Sequence, residues 1–404
     1  YNLAAKIYLL QDEKALAEQV FKRVLTLEPD NNFALQYFIE QDIQAEKYSQ
    51  ALVKIQPLLG KSPDNLLVLI QNYRIAKLVG KPDDAIDKVK ALFEKNQDSL
   101  NVRLIYGKVL FSEKSYEKVV NLLTDEVSIN EATPILYWEL LSKSHFLLSE
   151  FDQAVAVFDM WIKADPTQDN AWIGKIVSLE SGGENSLALV TTESWLRKQP
   201  DNPKATLTYP YYLVLNDKLD LAKFNIEQLS DEFKTTDYIK GLLAQIAYKE
   251  GDFKRALPGL IELYKVKPST QNANFVYTAF MELNRSKDAL DFLKKRVTEY
   301  SDDYFSKALL AQLAIDSDSK LAQATYRELL VIYPNNIQYL NNLAWIHLKN
   351  NQSEDAYVIV SKALKLQPEN PSVLDTAALI QLERGNIDIA QQLIKKAYLL
   401  APYD

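Results

Sequence analysis

The chain of 404 residues contains no cysteine and only two histidines, His145 and His347. Without cysteine there can be no disulfide, no thiolate metal ligand and no cysteine nucleophile. The sequence also has no phosphate-cradling glycine loop, no Ser-His-Asp arrangement and no cluster of residues with metal-ligand spacing. These absences predict a protein that is not an enzyme and that has no catalytic residue, no cofactor and no metal site.

Glycine and proline are scarce, with 10 and 15 residues, which leaves little sequence for long flexible linkers. No apolar run reaches about 18 residues, so we expect no transmembrane segment in this chain. Acidic residues outnumber basic ones by 54 to 46, and the net charge is −8. Because nucleic-acid binding depends on positive charge, this balance argues against a nucleic-acid partner.

One landmark residue, alanine in eleven of twelve cases, recurs every 33 to 35 positions. A fixed period of this size indicates a stacked array of repeats. An apolar residue follows four positions later in eleven of the twelve repeats, and another is usual at seven positions, which places all three on one helical stripe. The landmarks are Ala17, Ala51, Ala85, Val119, Ala154, Ala188, Ala222, Ala256, Ala289, Ala322, Ala356 and Ala390.

Each repeat is predicted to be a helix, a short turn and a second helix. Proline stands twelve positions after the landmark in eight repeats and ends the second helix, because it cannot donate a backbone hydrogen bond. Twelve positions before the landmark, many repeats carry a small residue such as Ala5, Gly107 or Ala344, which lets two helix backbones approach closely. A helix of about 12 residues is marginal alone in water, so each hairpin needs its neighbours.

This register of alanine, apolar residue and proline resembles the tetratricopeptide repeat along the whole chain. It is weaker in three repeats, where Gln97, Glu131 and Lys234 replace the proline. The resemblance implies an all-α fold, a right-handed superhelix (solenoid) of about twelve hairpins, with the first helices lining a concave groove for a partner. We expect one array over 1–404, with units near 1–31, 32–65, 66–99, 100–134, 135–168, 169–202, 203–236, 237–270, 271–303, 304–336, 337–370 and 371–404.

Several conspicuous side chains fall in packing register. Both histidines lie nine positions before their landmark, which predicts a structural role between helices. Four of the five tryptophans are likewise expected in the core: Trp138, Trp161, Trp172 and Trp195. Pro210 and Pro258 fall inside predicted helices, where proline kinks the axis. Residues 181–186 read as the turn of the sixth repeat.

Aromatic and amide side chains share the predicted concave face of later repeats. Aromatic rings stack and amides form hydrogen bonds, a combination that suits a peptide or a sugar chain. The alternative is that many of these rings are partly buried between repeats. The candidate groove consists of Lys204, Tyr211, Tyr238, Gln245, Tyr248, Phe275, Phe305, Gln312, Asn341, Trp345 and Asp375.

The same projection of the early repeats predicts a basic patch of Lys6, Arg74, Lys77 and Lys108, with Glu40 nearby. Such a patch on an acidic protein suits a partner that carries carboxylates. The alternative is a solvated face without a ligand. The order of residues around Lys6 does not match the two-carboxylate clamp found in some tetratricopeptide-repeat proteins, so that clamp is not expected here.

The last two repeats carry a closer resemblance, in residues 339–345 (YLNNLAW), 363–371 (ALKLQPENP) and 373–378 (VLDTAA). These segments are similar to the C-terminal part of PrsT-type repeat lipoproteins, which accompany bacterial PEP-CTERM/exosortase and exopolysaccharide systems. The sequence departs from that family after Asp375-Thr376, where Ala377 follows in place of glycine. The resemblance implies a periplasmic location at the outer membrane, with a cytoplasmic location as the alternative.

Together these patterns predict a non-enzymatic scaffold of a bacterial cell-envelope assembly, linked to exopolysaccharide secretion or surface-protein sorting. Its expected partners are other proteins or peptide segments. The alternatives are a module that binds polysaccharide through the aromatic stripe, and an accessory array fused to an enzyme outside this chain. The chain begins without methionine and stops just after Pro402, so we expect a piece of a longer protein whose anchor lies elsewhere.

Overall fold

A computed structural model describes residues 1–124 and 133–401, and over these ranges the chain is helical, without a β-strand. The all-α prediction is confirmed for this part of the chain. The helices are α1 (Asn2–Leu10), α2 (Lys14–Leu27), α3 (Asn32–Gln44), α4 (Tyr48–Lys61), α5 (Leu66–Val79), α6 (Asp83–Lys95), α7 (Leu100–Ser112), α8 (Tyr116–Thr124), α9 (Ile135–Leu147), α10 (Phe151–Ala164), α11 (Asp169–Ser181), α12 (Asn185–Lys198), α13 (Pro203–Leu215), α14 (Leu219–Glu227), α15 (Asp231–Lys234), α16 (Asp237–Lys249), α17 (Phe253–Val266), α18 (Thr270–Glu282), α19 (Ser286–Glu299), α20 (Tyr304–Ala314), α21 (Ser319–Ile332), α22 (Ile337–Lys349), α23 (Ser353–Leu366), α24 (Pro371–Glu383) and α25 (Ile387–Leu400).

The helices form the predicted hairpins, with one exception in the seventh repeat. There the second helix is split into α14 and the four-residue α15, because the backbone at Ser230 is extended (φ −63°, ψ 154°). The turn predicted in the sixth repeat is confirmed, since α11 ends at Ser181 and α12 begins at Asn185. Two features predicted from sequence, Glu131 at the end of the fourth repeat and Pro402 at the end of the twelfth, lie outside the described residues.

The chain divides into two compact units, residues 1–212 and residues 213–404. Within the first unit, α1 to α12 pack consecutively, each helix on the one before it and the one after it. Within the second unit, α16 to α25 do the same. First helices of successive repeats also touch, as α7 touches α9 in the first unit and α22 touches α24 in the second. Each unit is therefore a sequential stack of hairpins.

The landmark residues form the centre of each hairpin contact. All twelve are buried, with exposed fractions between 0% and 7%. The small residues on the first helices are buried as well, for example Ala5, Ser142 and Ala344, each at 0%. The spacing is tight: a Cβ added to Gly259 on α17 would lie 2.6 Å from the Cβ of Ala244 on α16. Small side chains therefore set the distance between the paired helices.

The turn inside each hairpin repeats as regularly as its helices. In eleven repeats the residue five positions before the landmark has a left-handed backbone, with φ between 57° and 85°. The next amide N–H then donates to the carbonyl nine positions before the landmark, over 2.7 to 2.9 Å. This closure is the Schellman arrangement that ends many helices. The left-handed residues are Asp12, Glu46, Gly80, Lys114, Ser149, Gly183, Asp217, Gly251, Asn284, Asn351 and Gly385.

Only four of these eleven turn residues are glycine. In the other seven repeats a residue with a side chain adopts the left-handed conformation, which is strained for such residues. The tenth repeat is the exception. Its first helix, α20, has 11 residues where α22 has 13, and Ser317 at the turn position has no positive φ. Here the Asp318 amide donates to the Ala314 carbonyl at 2.8 Å instead.

Both histidines lie directly beneath such turns, and their carbonyls accept the closing hydrogen bond. The His145 side chain is 8% exposed, and its Nδ1 lies 2.7 Å from the Glu150 carboxylate. His347 is 2% exposed, and its Nε2 lies 2.9 Å from the Gln323 amide. Burial, with the nearby Arg327 charge, lowers the pKa of His347 and favours the neutral ring. Their predicted structural role between helices is confirmed.

The tryptophans and internal prolines also lie where the register placed them. Trp138, Trp161, Trp172 and Trp195 are between 0% and 3% exposed, so their core assignment is confirmed. Pro210 lies inside α13 and Pro258 inside α17, as expected, and Pro57 inside α4 is a third internal proline that the register did not single out.

A buried ion pair holds the ninth and tenth repeats together. The Arg296 guanidinium lies 2.7 Å from the Asp303 carboxylate, and both side chains are less than 5% exposed. Arg296 also donates to the Pro268 carbonyl at 2.6 Å, and Asp303 accepts from the Ser306 amide at 3.1 Å and hydroxyl at 2.8 Å. Burial alone would raise the pKa of Asp303, but the Ser306 hydrogen bonds and the Arg296 charge lower it overall. The pair thus joins α19, α20 and the loop after α17.

The close approach of paired helices predicts that a larger landmark is destabilising. Ala256→Leu, at a position with 0% exposure, should lower the free energy of unfolding by about 1–3 kcal/mol through overpacking. Val266→Leu on the same helix is the matched control, because Val266 is 70% exposed and has room for the added methylene. Urea unfolding of both variants measures the difference. Equal unfolding midpoints would show that this joint is not tightly packed.

The left-handed turns predict that glycine stabilises the chain where a long side chain now occupies such a position. Lys114→Gly should raise the free energy of unfolding by about 0.5–1 kcal/mol, because the relief of strain exceeds the added entropy of the unfolded chain. Ser317→Gly, at the turn without a positive φ, should instead be neutral or destabilising. Calorimetric melting of the two variants compares them, and a lower melting temperature for Lys114→Gly would contradict the assignment.

Candidate functional site

The eleven residues of the candidate groove all lie on first helices, α13, α16, α18, α20, α22 and α24. Two of them, Lys204 and Tyr211, belong to the first compact unit, and the other nine belong to the second. The sequence register therefore placed all eleven candidates on first helices. Whether these positions bind a ligand stays a prediction.

In the first unit, the two groove candidates contact the preceding repeat. Lys204 Nζ lies 2.9 Å from the Asp169 carboxylate, in a pair whose lysine is mostly exposed. The Tyr211 hydroxyl donates to one oxygen of Glu180 at 2.9 Å, and the neighbouring Tyr212 donates to the other oxygen at 2.6 Å. These polar groups stabilise the contact between α11 and α13.

In the second unit, the aromatic candidates differ in exposure. The Tyr248 and Phe275 rings lie 4.8 Å apart between centroids, and both pack against the buried core around Ala256. They are partly buried between repeats, as the alternative reading expected. Phe305 is 51% exposed and Tyr238 is 47% exposed. Desolvation by surrounding protein atoms nevertheless raises the pKa of Tyr238 to about 12.

The remaining candidates of the second unit, Trp345 and the polar residues, also differ in exposure. Gln312 and Asp375 are exposed, whereas Gln245, Asn341 and Trp345 are half-buried. The Oδ1 atom of Asn341 is enclosed and has no hydrogen-bond partner among the described residues. Of these candidates, the structure brings the Tyr248 and Phe275 rings into contact.

Two residues of the basic patch, Lys6 and Lys77, contact other residues. Lys6 Nζ lies 4.2 Å from the centroid of the Phe33 ring. Lys77 pairs with the Glu113 carboxylate at 3.0 Å and donates to the Ser112 carbonyl at 2.6 Å. The hydrogen bond to Glu113 raises the pKa of Lys77, and hydrogen bonds from Tyr73 and Lys77 lower the pKa of Glu113. Lys6 and Lys77 therefore both contact residues of the first compact unit.

The other two patch residues line one cavity. Arg74 on α5 and Lys108 on α7 are exposed, and they border a cavity of about 320 Å³ with Ile70, Tyr73, Ile105, Val109 and Ser112. Over the described ranges, neither cation forms an ion pair or a side-chain hydrogen bond. Sequence register placed both on one face, but it could not show that their charges are unpaired or that a cavity lies between them.

A second cavity, of about 440 Å³, adjoins the first and shares Ile70 and Arg74 with it. It lies between α3 and α5 and is also lined by Asn32, Gln36, Asn65, Leu67, Val68 and Gln71. The Gln36 and Gln71 side chains exchange two hydrogen bonds of 2.8 Å. We call the two cavities together the α3–α5–α7 groove. Its apolar and amide members were not singled out by the sequence, since nothing in their spacing distinguishes them from ordinary helix residues.

A cavity of about 620 Å³ lies among α6, α7 and α8 and contains Arg103 and Lys118. The Arg103 guanidinium donates to the Leu122 carbonyl at 2.9 Å and the Gln97 carbonyl at 3.1 Å. The Arg103 side chain therefore stabilises the packing of the surrounding helices through these hydrogen bonds. Within 1–124 and 133–401, no group of three acidic, histidine or cysteine residues is placed to hold a metal ion, and no helix is long and apolar enough to cross a membrane.

Two segments of the chain match family models of a helical-hairpin repeat. Residues 1–31, which contain α1 and α2, match a tetratricopeptide repeat model, and residues 325–357, which contain α22 and its flanks, match another. These matches show tetratricopeptide repeats at two places in the chain. No match is found among curated proteins.

Among solved structures, the Cut9–Hcn1 hetero-tetramer of APC/C is similar over 100% of this chain and 93% of that chain, with 13% identity and a TM-score of 0.40. Naa15/Naa10 bound to HypK-THB matches over 92% of this chain at 15% identity and a TM-score of 0.37, and this chain spans 64% of its length. MamA from Desulfovibrio magneticus RS-1 matches over 41% of this chain and 95% of its own, at 15% identity and a TM-score of 0.38. At these levels the likenesses carry no argument about function.

Proposed function

We propose that this chain is a non-enzymatic scaffold that binds segments of other proteins along its first helices. The observation that carries the proposal is the α3–α5–α7 groove. It crosses three successive repeats, and two of its lining residues are cations without partners in the described ranges. A groove with apolar walls and a few convergent polar groups is the usual form of a binding site.

The tetratricopeptide repeats support the same proposal, because arrays of stacked hairpins present extended surfaces to partners. The hairpins are joined by turns of a few residues, and their interiors are filled by the landmark residues. The structure therefore offers its exposed faces for interaction.

For the cellular setting we propose a bacterial cell-envelope assembly linked to exopolysaccharide secretion or surface-protein sorting. The chain would then lie in the periplasm, held at the outer membrane through a segment outside this sequence. The support is the resemblance of residues 339–378 to PrsT-type lipoproteins. A signal peptide with a lipid-attachment cysteine in the full-length gene would support this setting, and a gene without any export signal would favour the cytoplasmic alternative.

Polysaccharide binding stays the second prediction from sequence, and no observation in the structure favours it. The Tyr248 and Phe275 rings that were expected to stack on a sugar are packed on each other and on the core.

The proposal predicts that partners contact the first helices rather than the second helices. A photo-crosslinking phenylalanine derivative at Leu67, which is 78% exposed and lines the groove, should capture a discrete envelope protein. The matched control is the same substitution at Val53 on the second helix α4, which is 72% exposed. Crosslinking of the full-length protein in an extract of the bacterium that carries the gene is the measurement.

A second matched pair tests the compact unit of residues 213–404. The photo-crosslinking phenylalanine derivative is placed at Gln312 on the first helix α20 and, as the control, at Val358 on the second helix α23. Capture of the same proteins with equal yield from all four positions would contradict a binding surface on the first helices. Capture from Gln312 without capture from Leu67 would keep the scaffold but move its binding surface away from the α3–α5–α7 groove.

A further inference from the structure

The α3–α5–α7 groove differs from the rest of the first-helix surface in its charges. Lys6, Arg74, Lys108 and Lys143 all stand eleven positions before a landmark residue, and so does Glu40 on α3, which accepts a hydrogen bond from Gln44 at 3.4 Å and does not line either cavity. Lys143 pairs with Glu139 at 3.3 Å, and Lys6 lies over the Phe33 ring. Arg74 and Lys108 have no such partner within the described ranges. Within the described ranges, the groove therefore holds two positive charges without an ion-pair partner, on a chain whose net charge is −8.

The lining of the groove contains no acidic residue in either cavity. Two like charges at one cavity repel each other, and the repulsion is relieved when an anion lies between them. A carboxylate accepts hydrogen bonds from both guanidinium and ammonium groups, and such charge-assisted bonds are stronger than neutral ones. The charges of the groove are thus complementary to a carboxylate.

The other residues that line the groove indicate which groups of a ligand would lie beside that carboxylate. Ile70, Ile105 and Val109 form an apolar wall of the smaller cavity, which suits an aliphatic side chain. In the larger cavity, the paired amides of Gln36 and Gln71 each keep one N–H and one carbonyl lone pair unused by their mutual bonds. These groups are complementary to the backbone of an extended peptide.

Arg74 belongs to both cavities and therefore lies in the middle of the groove. A chain bound across it continues to both sides, towards α3 and towards α7. An acidic side chain permits this path, whereas a terminal carboxylate would end the chain at Arg74. The position of Arg74 thus favours aspartate or glutamate within a chain over a carboxyl terminus.

We infer that the α3–α5–α7 groove binds an extended segment of a partner protein in which an acidic side chain, held between Arg74 and Lys108, is next to an aliphatic residue. This inference rests on the proposed function, since it names the chemistry of the segment that the scaffold takes. The groove then selects acidic, apolar segments from among the exposed segments of partner proteins.

The probe is a fluorescein-labelled twelve-residue peptide of repeated Leu-Glu-Ser, with both ends blocked, and fluorescence anisotropy with the full chain is the measurement. A Leu-Gln-Ser peptide of the same length is the matched control ligand. The acidic peptide should bind about ten-fold more tightly than the neutral one, and its affinity should fall as salt is raised.

Arg74→Gln and Lys108→Gln should each weaken binding of the acidic peptide about five-fold, as expected for loss of an exposed charge pair. Lys143→Gln is the matched control variant, because Lys143 has the same register but pairs with Glu139. Its affinity should stay within two-fold of the unchanged protein. Circular dichroism melting of each variant confirms that the fold is retained.

The inference is overturned if the double variant binds the acidic peptide as tightly as the unchanged protein, or if the acidic and neutral peptides bind equally or not at all. Tighter binding of a neutral peptide with a free carboxyl terminus would overturn the assignment to a side chain. If these peptides fail while Leu67 or Gln312 still captures a partner by crosslinking, the scaffold stands and only the ligand chemistry is wrong.

Discussion

The close approach of two helices at one small residue is the constraint on which the rest of this structure depends. Each landmark is buried, and Ala256 and Ala356 are completely so. A hairpin of about 12 residues per helix gains little stability from its own hydrogen bonds. The apolar stripes that remain exposed on one hairpin are covered by the next, so burial accumulates along the stack.

The stacking of hairpins also determines which helix surfaces remain exposed for binding. Second helices are committed to packing through their landmark stripes, and the turns are fixed by a recurrent closing hydrogen bond. The first helices retain exposed positions in register from one repeat to the next. The α3–α5–α7 groove arises at such positions, where Arg74 and Lys108 point their charges into one cavity without an acidic neighbour in its lining.

The period alone was enough to predict the hairpins, the buried landmarks and the structural histidines, because each depends on short-range helical register. The left-handed backbone at Lys114 was not predicted, since lysine does not favour that conformation in isolation. The split helix at Ser230 was not predicted either, although serine is a preferred N-cap residue, because the repeat register places this position inside a helix. Within the candidate site, the sequence placed the basic residues on first helices, and the structure has them there. It could not separate Lys77 from Arg74, because the partner of Lys77 is Glu113, which follows the first helix of the next repeat.

The central claim is that a single hairpin is not stable and that its neighbours supply the stability. Circular dichroism of a peptide spanning residues 337–366, which contain α22 and α23, tests this most directly. We expect a largely disordered spectrum at 25 °C that gains helix cooperatively only when two flanking hairpins are added. A strongly helical spectrum with cooperative melting for the isolated hairpin would contradict the account.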